Sequence, residues 1–183
     1  TPLGLMVYIH GGYWLRFDRS YWTFLAEAAL RHGYAVAMPS YPLCPEVTIA
    51  QITASVAQAV QMAADAVPGP IRLTGHSAGG HLAARMLCAD VALPCRARIV
   101  QALLISPLTD LRHMQKTAMA GPLQLTDAAA AAESPVLHAA PSVPVTLWVG
   151  GAERPVFLDH AAWLAKAWDC PLTVEPGKHH FDV

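Results

Sequence analysis

With 183 residues the chain has the length of one domain and enough residues to bury a sizeable core. Charged residues make up 14% of it and the hydrophobic set 54%, which excludes a disordered, solvating chain. A formal charge of −1 offers no electrostatic footprint for nucleic acid or an anionic membrane surface.

Met6 to Ile9 is the first buried-strand candidate, closed by the turn His10-Gly11-Gly12-Tyr13-Trp14. A helix is expected over Ser20 to Arg31, with Ser20 as N-cap and Gly33 as terminator, followed by a strand over Tyr34 to Met38. Two prolines make Ser40 to Glu46 irregular. From Thr48, apolar positions Ile49, Ile52, Val56, Val60, Ala63 and Val67 recur at steps of three and four, the buried face of a long helix that stops at Pro68-Gly69-Pro70. Ile71 to Thr74 is a strand, Ala78 to Ala89 a helix and Ile99 to Ile105 a strand. Alternating helices and doubly apolar strands predict an α/β fold with a mostly parallel, doubly wound sheet and helices on both faces.

Residues 106 to 144 break this rhythm with six prolines and glycines and one short alanine-rich helix between Asp127 and Ser134. The stretch reads as a cap-like excursion within a single domain spanning 1 to 183, contributing to substrate selection. Regularity returns with a strand at Val145 to Val149, a helix near Phe157 to Trp168 and a last strand at Leu172 to Glu175. Cys44, Cys88, Cys95 and Cys170 are scattered without a Cys-x-x-Cys, so free thiols and a cytoplasmic location are expected. No apolar run approaches the ~18 residues of a membrane span and no signal-peptide pattern is present. The abrupt start at Thr1-Pro2 and stop at Asp182-Val183 suggest a longer parent protein.

The chemistry centres on Gly75-His76-Ser77-Ala78-Gly79, a Gly-x-Ser-x-Gly nucleophile elbow set between strand and helix. A serine hydroxyl is a weak nucleophile at neutral pH, so an imidazole must take its proton and a carboxylate must orient that imidazole. The base belongs just past the last strand, where His179 and His180 compete and spacing alone does not choose. The acid belongs after the strand Val145 to Val149, which favours Glu153; Asp110 is the rival, while Asp159 and Asp169 read as solvated helix positions. Gly11, Gly12 and Ala78 are the candidate oxyanion-hole donors, with His10 bracing that loop. None of the nine histidines has a metal-ligand spacing, so neither metal nor cofactor is expected.

Together His10-Gly11-Gly12-Tyr13-Trp14, Gly-His-Ser-Ala-Gly-Gly-His and His180-Phe181-Asp182-Val183 resemble the α/β-hydrolase fold, and within it the arylformamidase (kynurenine formamidase) group, related to hormone-sensitive-lipase-like esterases. Tyr41 to Val47 and Ser106 to Leu111 are similar to further elements of that group, whose members normally carry extra N-terminal strands and a C-terminal helix that this chain lacks. The resemblance implies Ser77 as nucleophile and His180 as base. Its acid loop is similar to Glu153-Arg154-Pro155-Val156-Phe157, although the group usually has an aspartate nearby. It also implies hydrolysis of a small aryl formamide, with Tyr13, Trp14, Tyr41 and Leu108 as candidates to shape an aryl pocket; plain packing is the competing reading of those residues. A short-acyl carboxylesterase and a non-catalytic binding protein are the alternatives. A small-molecule substrate is the expected partner, and a homodimer is left open.

Overall fold

A computed structural model describes Thr1–Val183, and in it the chain forms β1 (Leu5–Ile9), α1 (Ala26–Arg31), β2 (Ala35–Ala37), α2 (Ile49–Ala66), β3 (Ile71–His76) and α3 (Ala78–Leu87). It continues through β4 (Ile99–Ile105), α4 (Ala120–Leu123), α5 (Asp127–Ala132), β5 (Val145–Gly150), α6 (Pro155–Trp168) and β6 (Leu172–Glu175). The six strands make one sheet in the order β2-β1-β3-β4-β5-β6, every neighbouring pair parallel. Each connection between successive strands is therefore a crossover, and the strand ends that bear loops for chemistry lie on one edge of the sheet.

Register and glycine contacts assign the two faces. A Cβ on Gly75 would fall 2.2 Å from the Gly79 carbonyl oxygen, so Gly75 faces α3. Its register mates Ile9 and Leu104, and Val7, Leu73, Leu5 and Ile71 two and four residues back, share that face and are essentially inaccessible. Tyr8, Thr74, His76 and Ile105 look the other way, where Trp22 packs over Tyr8 at 6.4 Å between rings. That second face is covered unevenly: Ile105 is half-buried and Trp148 is 37% exposed.

Local signals explain most boundaries. Thr48 and Gln51 close a capping box on α2, each side chain satisfying the other's backbone N–H. Ala63 and Val67, expected on its buried stripe, are only half-buried, and Thr53, Ala57 and Ala64 fill that face instead. The expected helix over Ser20 to Arg31 is a 3-10 segment, Arg19–Leu25, followed by the short α1. The cap is Asp18, whose carboxylate accepts from Ser20 N at 2.7 Å, and the intervening Tyr21-Trp22-Thr23-Phe24 run consists of side chains that lose rotamer freedom in an α-helix. The 106 to 144 excursion adds 3-10 turns at Leu111–Lys116 and Pro135–Leu137 to its two short helices. No helix is long and apolar enough to cross a membrane, and all four cysteines are free.

Candidate active site

Ser77 joins β3 to α3 at φ 57° and ψ −121°, a conformation that L-residues avoid. Packing enforces it. A Cβ on Gly79 would come within 2.0 Å of the Ile9 carbonyl oxygen, so strand and helix approach more closely than any side chain allows. The Ser77 N–H donates to Ile105 O at 2.9 Å, anchoring the turn to β4. Serine at a helix N-cap ordinarily spends its hydroxyl on the first helical N–H groups, whereas here it makes no capping bond and stays available.

Glu153 and His180 form the second part of the site. The His180 Nδ1–H donates to Glu153 Oε2 at 2.5 Å, while the other carboxylate oxygen accepts from Ser106 Oγ at 2.5 Å and Gly150 N at 2.8 Å. Burial alone would raise this carboxyl; the bonds from His180, Ser106 and Gly150 outweigh it and hold the group below its ordinary range. Phe157 covers the His180 ring at 4.1 Å. With Nδ1 committed to the acid, Nε2 is the nitrogen left for proton transfer. His179 by contrast is exposed and bonds only within its own turn, to Asp182 and to the Phe181 N–H.

The loop after β1 supplies donors. Gly11 sits against the elbow: a Cβ there would be 3.1 Å from Ser77 Cβ. Neither Gly11 nor Gly12 donates its N–H to a protein acceptor, and Ala78, as the first residue of α3, has no intrahelical acceptor for its own. Three groups are thus free for a developing oxyanion. The loop is strained, with Gly12 at φ 124°, Tyr13 at 55°, Trp14 at 60° and Phe17 at 74°. His10 stacks on Tyr41 at 4.2 Å and donates to Gly11 O, the Tyr41 hydroxyl donates to His10 O at 2.8 Å, and the fully buried Trp14 meets His81 edge-on at 5.0 Å. These contacts over-determine the strained backbone.

Of the residues expected to shape an aryl pocket, only Tyr13 is partly accessible; Trp14, Tyr41 and Leu108 are buried in the core, where Trp14 and Tyr41 brace the donor loop. Asp110 is taken up by Arg112, with Nη2 at 2.6 Å, and caps the turn that follows it. Asp159 and Asp169 are exposed. Two partners escaped the sequence reading: Ser106, donor to the acid, and His76, which donates from Nε2 to the His180 carbonyl at 2.7 Å. Ser106 lay within a quoted motif, but its role depends on a contact 47 positions away.

A buried network fastens the excursion to α3. Arg85, 2% exposed, donates to Glu133 at 3.1 Å and to both oxygens of Asp90; Thr53 and His81 complete the bonds to Glu133. Ligand atoms of Cys88, Asp90 and His138 also converge within 4.8 Å, but the Arg85 guanidinium already occupies Asp90 and lies 3.0 Å from His138, so the set suits the arginine and not a metal ion.

The α/β hydrolase fold family matches residues 6–167, most of the chain. The chain belongs to the α/β-hydrolase fold family. Among its relatives, kynurenine formamidase of Drosophila melanogaster is 29% identical over 98% of this chain, and that of Danio rerio is 32% identical over 72%. The chain spans 66% of the length of the fly relative and 46% of the zebrafish one. A crystal structure of a candidate thioesterase from Silicibacter sp. TM1040 is similar at 54% identity and a TM-score of 0.96, over 99% of this chain and 70% of that one. Nucleophile, acid and base follow one another in that order along chains of this fold, and the residues gathered here come in the order Ser77, Glu153, His180.

Proposed function

We propose that the chain carries the catalytic domain of a cofactor-free serine hydrolase that cleaves a small aryl formamide, N-formylkynurenine, to kynurenine and formate in tryptophan breakdown. The observation that carries the proposal is the 2.5 Å bond between His180 and Glu153, together with a strained and uncapped Ser77; the likeness to curated kynurenine formamidases supplies the substrate class. His180 Nε2 takes the Ser77 proton as Oγ attacks the formyl carbon, and the oxyanion is received by the N–H groups of Gly11, Gly12 and Ala78. The imidazolium, stabilised by Glu153, returns the proton to the aryl amine as the C–N bond breaks. Water, deprotonated by His180, then attacks the formyl-enzyme, and formate leaves as Ser77 regains its proton.

A second reading, hydrolysis of short acyl esters or thioesters by the same residues, is favoured by the 54% identity to the candidate thioesterase. Steady-state turnover on N-formylkynurenine, p-nitrophenyl acetate and acetyl thioester separates the two. Formamide turnover well above the others is expected; negligible formamide turnover beside efficient ester or thioester hydrolysis would install the second reading. Ser77→Ala should abolish both turnover and labelling by a serine-directed phosphonate with little change in stability. Folded wild-type protein that resists the phosphonate would instead mark a non-catalytic binding protein.

A further inference from the structure

His76 fills the variable position of the elbow, where nucleophile chemistry itself asks for no histidine. It is nonetheless buried, at 7% exposed, as the last residue of β3. Its side chain lies between the two loops that the reaction needs. On one side, a Cβ on Gly11 would stand 3.4 Å from His76 Nδ1, so the ring abuts the oxyanion loop. On the other, its centroid is 4.5 Å from that of His180, and Nε2–H donates to the His180 carbonyl at 2.7 Å.

That bond matters because of how little else holds the base. Residues 179 to 183 hydrogen-bond to the rest of the chain at two points only, both on His180: the ring to Glu153 and the carbonyl to His76. The bond to Nδ1 and the packing of Phe157 hold the ring, while the nearest other anchor of the backbone beneath it is Lys178, whose carbonyl accepts from Ala152 N at 2.8 Å. A second bond, to the carbonyl of the same residue, fixes the other end of the lever. Desolvation, followed by the neighbouring charge on His180, pushes the His76 pKa down to about 4, so at neutral pH the ring is uncharged and carries one proton. With that proton on Nε2, the donor is always present and adds no positive charge beside the base.

We infer that His76 is a positioning residue for His180, clamping the backbone of the base while Glu153 clamps its ring. The inference rests on the triad reading, and its test has a readout that does not need turnover. His76→Leu removes the donor; His76→Gln restores an N–H at nearly the reach of Nε2. In the leucine variant kcat should fall about 100-fold with KM little changed, the scale expected for misplacing a reacting group by about 1 Å, and glutamine should recover most of it. In parallel, the downfield proton resonance of His180 Nδ1–H should broaden and exchange faster with solvent in His76→Leu and return in His76→Gln.

Equal loss in both variants, or a His180 resonance unchanged in His76→Leu, overturns the inference. If the leucine variant does not fold, His76→Asn, polar but too short to reach the carbonyl, is expected to give the same broadening. A sharp resonance in that variant counts against the clamp. Wild-type protein that shows the resonance but no phosphonate labelling would refute the catalytic reading and leave the clamp itself to the spectroscopic result.

Discussion

Gly11 leaves no room for a side chain against Ser77 beyond the ends of the paired strands β1 and β3: a Cβ on Gly11 would lie 3.1 Å from Ser77 Cβ and 2.8 Å from the His76 carbonyl oxygen. The second distance cannot be tolerated, and the obstacle is backbone of the elbow itself. Gly11→Ala should therefore push the donor loop away from Ser77 and lower kcat by about 100-fold or more, the cost of losing an oxyanion donor. Gly12→Ala should act differently, since Gly12 is at φ 124° and its added Cβ would stand 2.2 Å from Arg16 O. Thermal unfolding is expected to show the larger stability loss for Gly12→Ala, and steady-state kinetics the cleaner kcat effect for Gly11→Ala.

Glu153 receives three donors and offers nothing else, so its charge and its acceptor geometry are both used. Glu153→Gln turns one oxygen into an N–H group facing a donor and should cut kcat about ten-thousandfold, as for other triads that lose the carboxylate. Ser106→Ala removes one donor and should raise the Glu153 pKa back toward the ordinary carboxyl value. A depressed folded-state pKa gives stability that is complete above the unfolded value, about 4.3, and is lost as pH falls through the folded one. In Ser106→Ala the contribution should be smaller and its loss complete at a higher pH, and the raised folded-state pKa is what titration of the Glu153 carboxyl by carbon NMR would detect. An unchanged titration would show that Ser106 is only packing.

The order of elements was legible because parallel strands buried on both faces leave continuous apolar runs, and Ile71 to His76 and Ile99 to Ile105 are such runs. The Glu153–His180 pairing was legible in part for the same reason: a crossover fold places a loop after each strand, so Glu153 and the His179-His180 pair had addresses before they had contacts, and the 2.5 Å bond falls on His180. What was not legible depended on side-chain direction. Trp14 and Tyr41 read as pocket residues because they are aromatic and flank the donor loop, yet Trp14, at φ 60°, has its ring buried in the core against His81, and the Tyr41 hydroxyl is consumed by His10 O. The stretch Ser20 to Arg31 read as one helix because Ser20 and Gly33 supply cap and terminator, whereas the poor helix formers between Ser20 and Leu25 hold Arg19–Leu25 in 3-10 turns.

Three of the four buried histidines predict most of how stability responds to acid, His10 being shifted in the same direction by burial. Burial, the leading cause in each case, pushes His76 and His160 down to about 4 and His81 to about 3. Between those values and about 6.5 the unfolded chain binds protons that the folded chain refuses, so stability is full above about pH 6.5 and declines as pH falls toward 4. Each histidine adds a slope approaching about 1.4 kcal/mol per pH unit across that window. Urea unfolding at pH 7, 6 and 5 should show the decline, and His81→Gln should flatten it at some cost at pH 7, where its bond from Nε2 to Glu133 O is altered. A pH-independent profile between 7 and 5 would count against all three.

The Arg85–Glu133 pair offers the sharpest stability test, because both side chains are almost wholly buried, at 2% and 7% exposure, and joined at 3.1 Å. Removing one member strands a desolvated charge, so Arg85→Met should destabilise by about 3–5 kcal/mol, with Glu133 left holding only Thr53. Replacing both by apolar residues of similar volume, as Arg85→Met with Glu133→Leu, removes the stranded charge and should recover most of that loss. Activity has a separate sensitivity to the same pair. Glu133 O accepts from His81, and His81 packs edge-on against Trp14 at the end of the His10–Trp14 loop, so disorder at Glu133 reaches that loop through two contacts. The single variant is therefore expected to lose both stability and kcat, and the double variant to regain the first more fully than the second. A double-mutant cycle read by urea unfolding and by turnover measures both couplings, and equal recovery of the two would break the link drawn from Glu133 to Trp14.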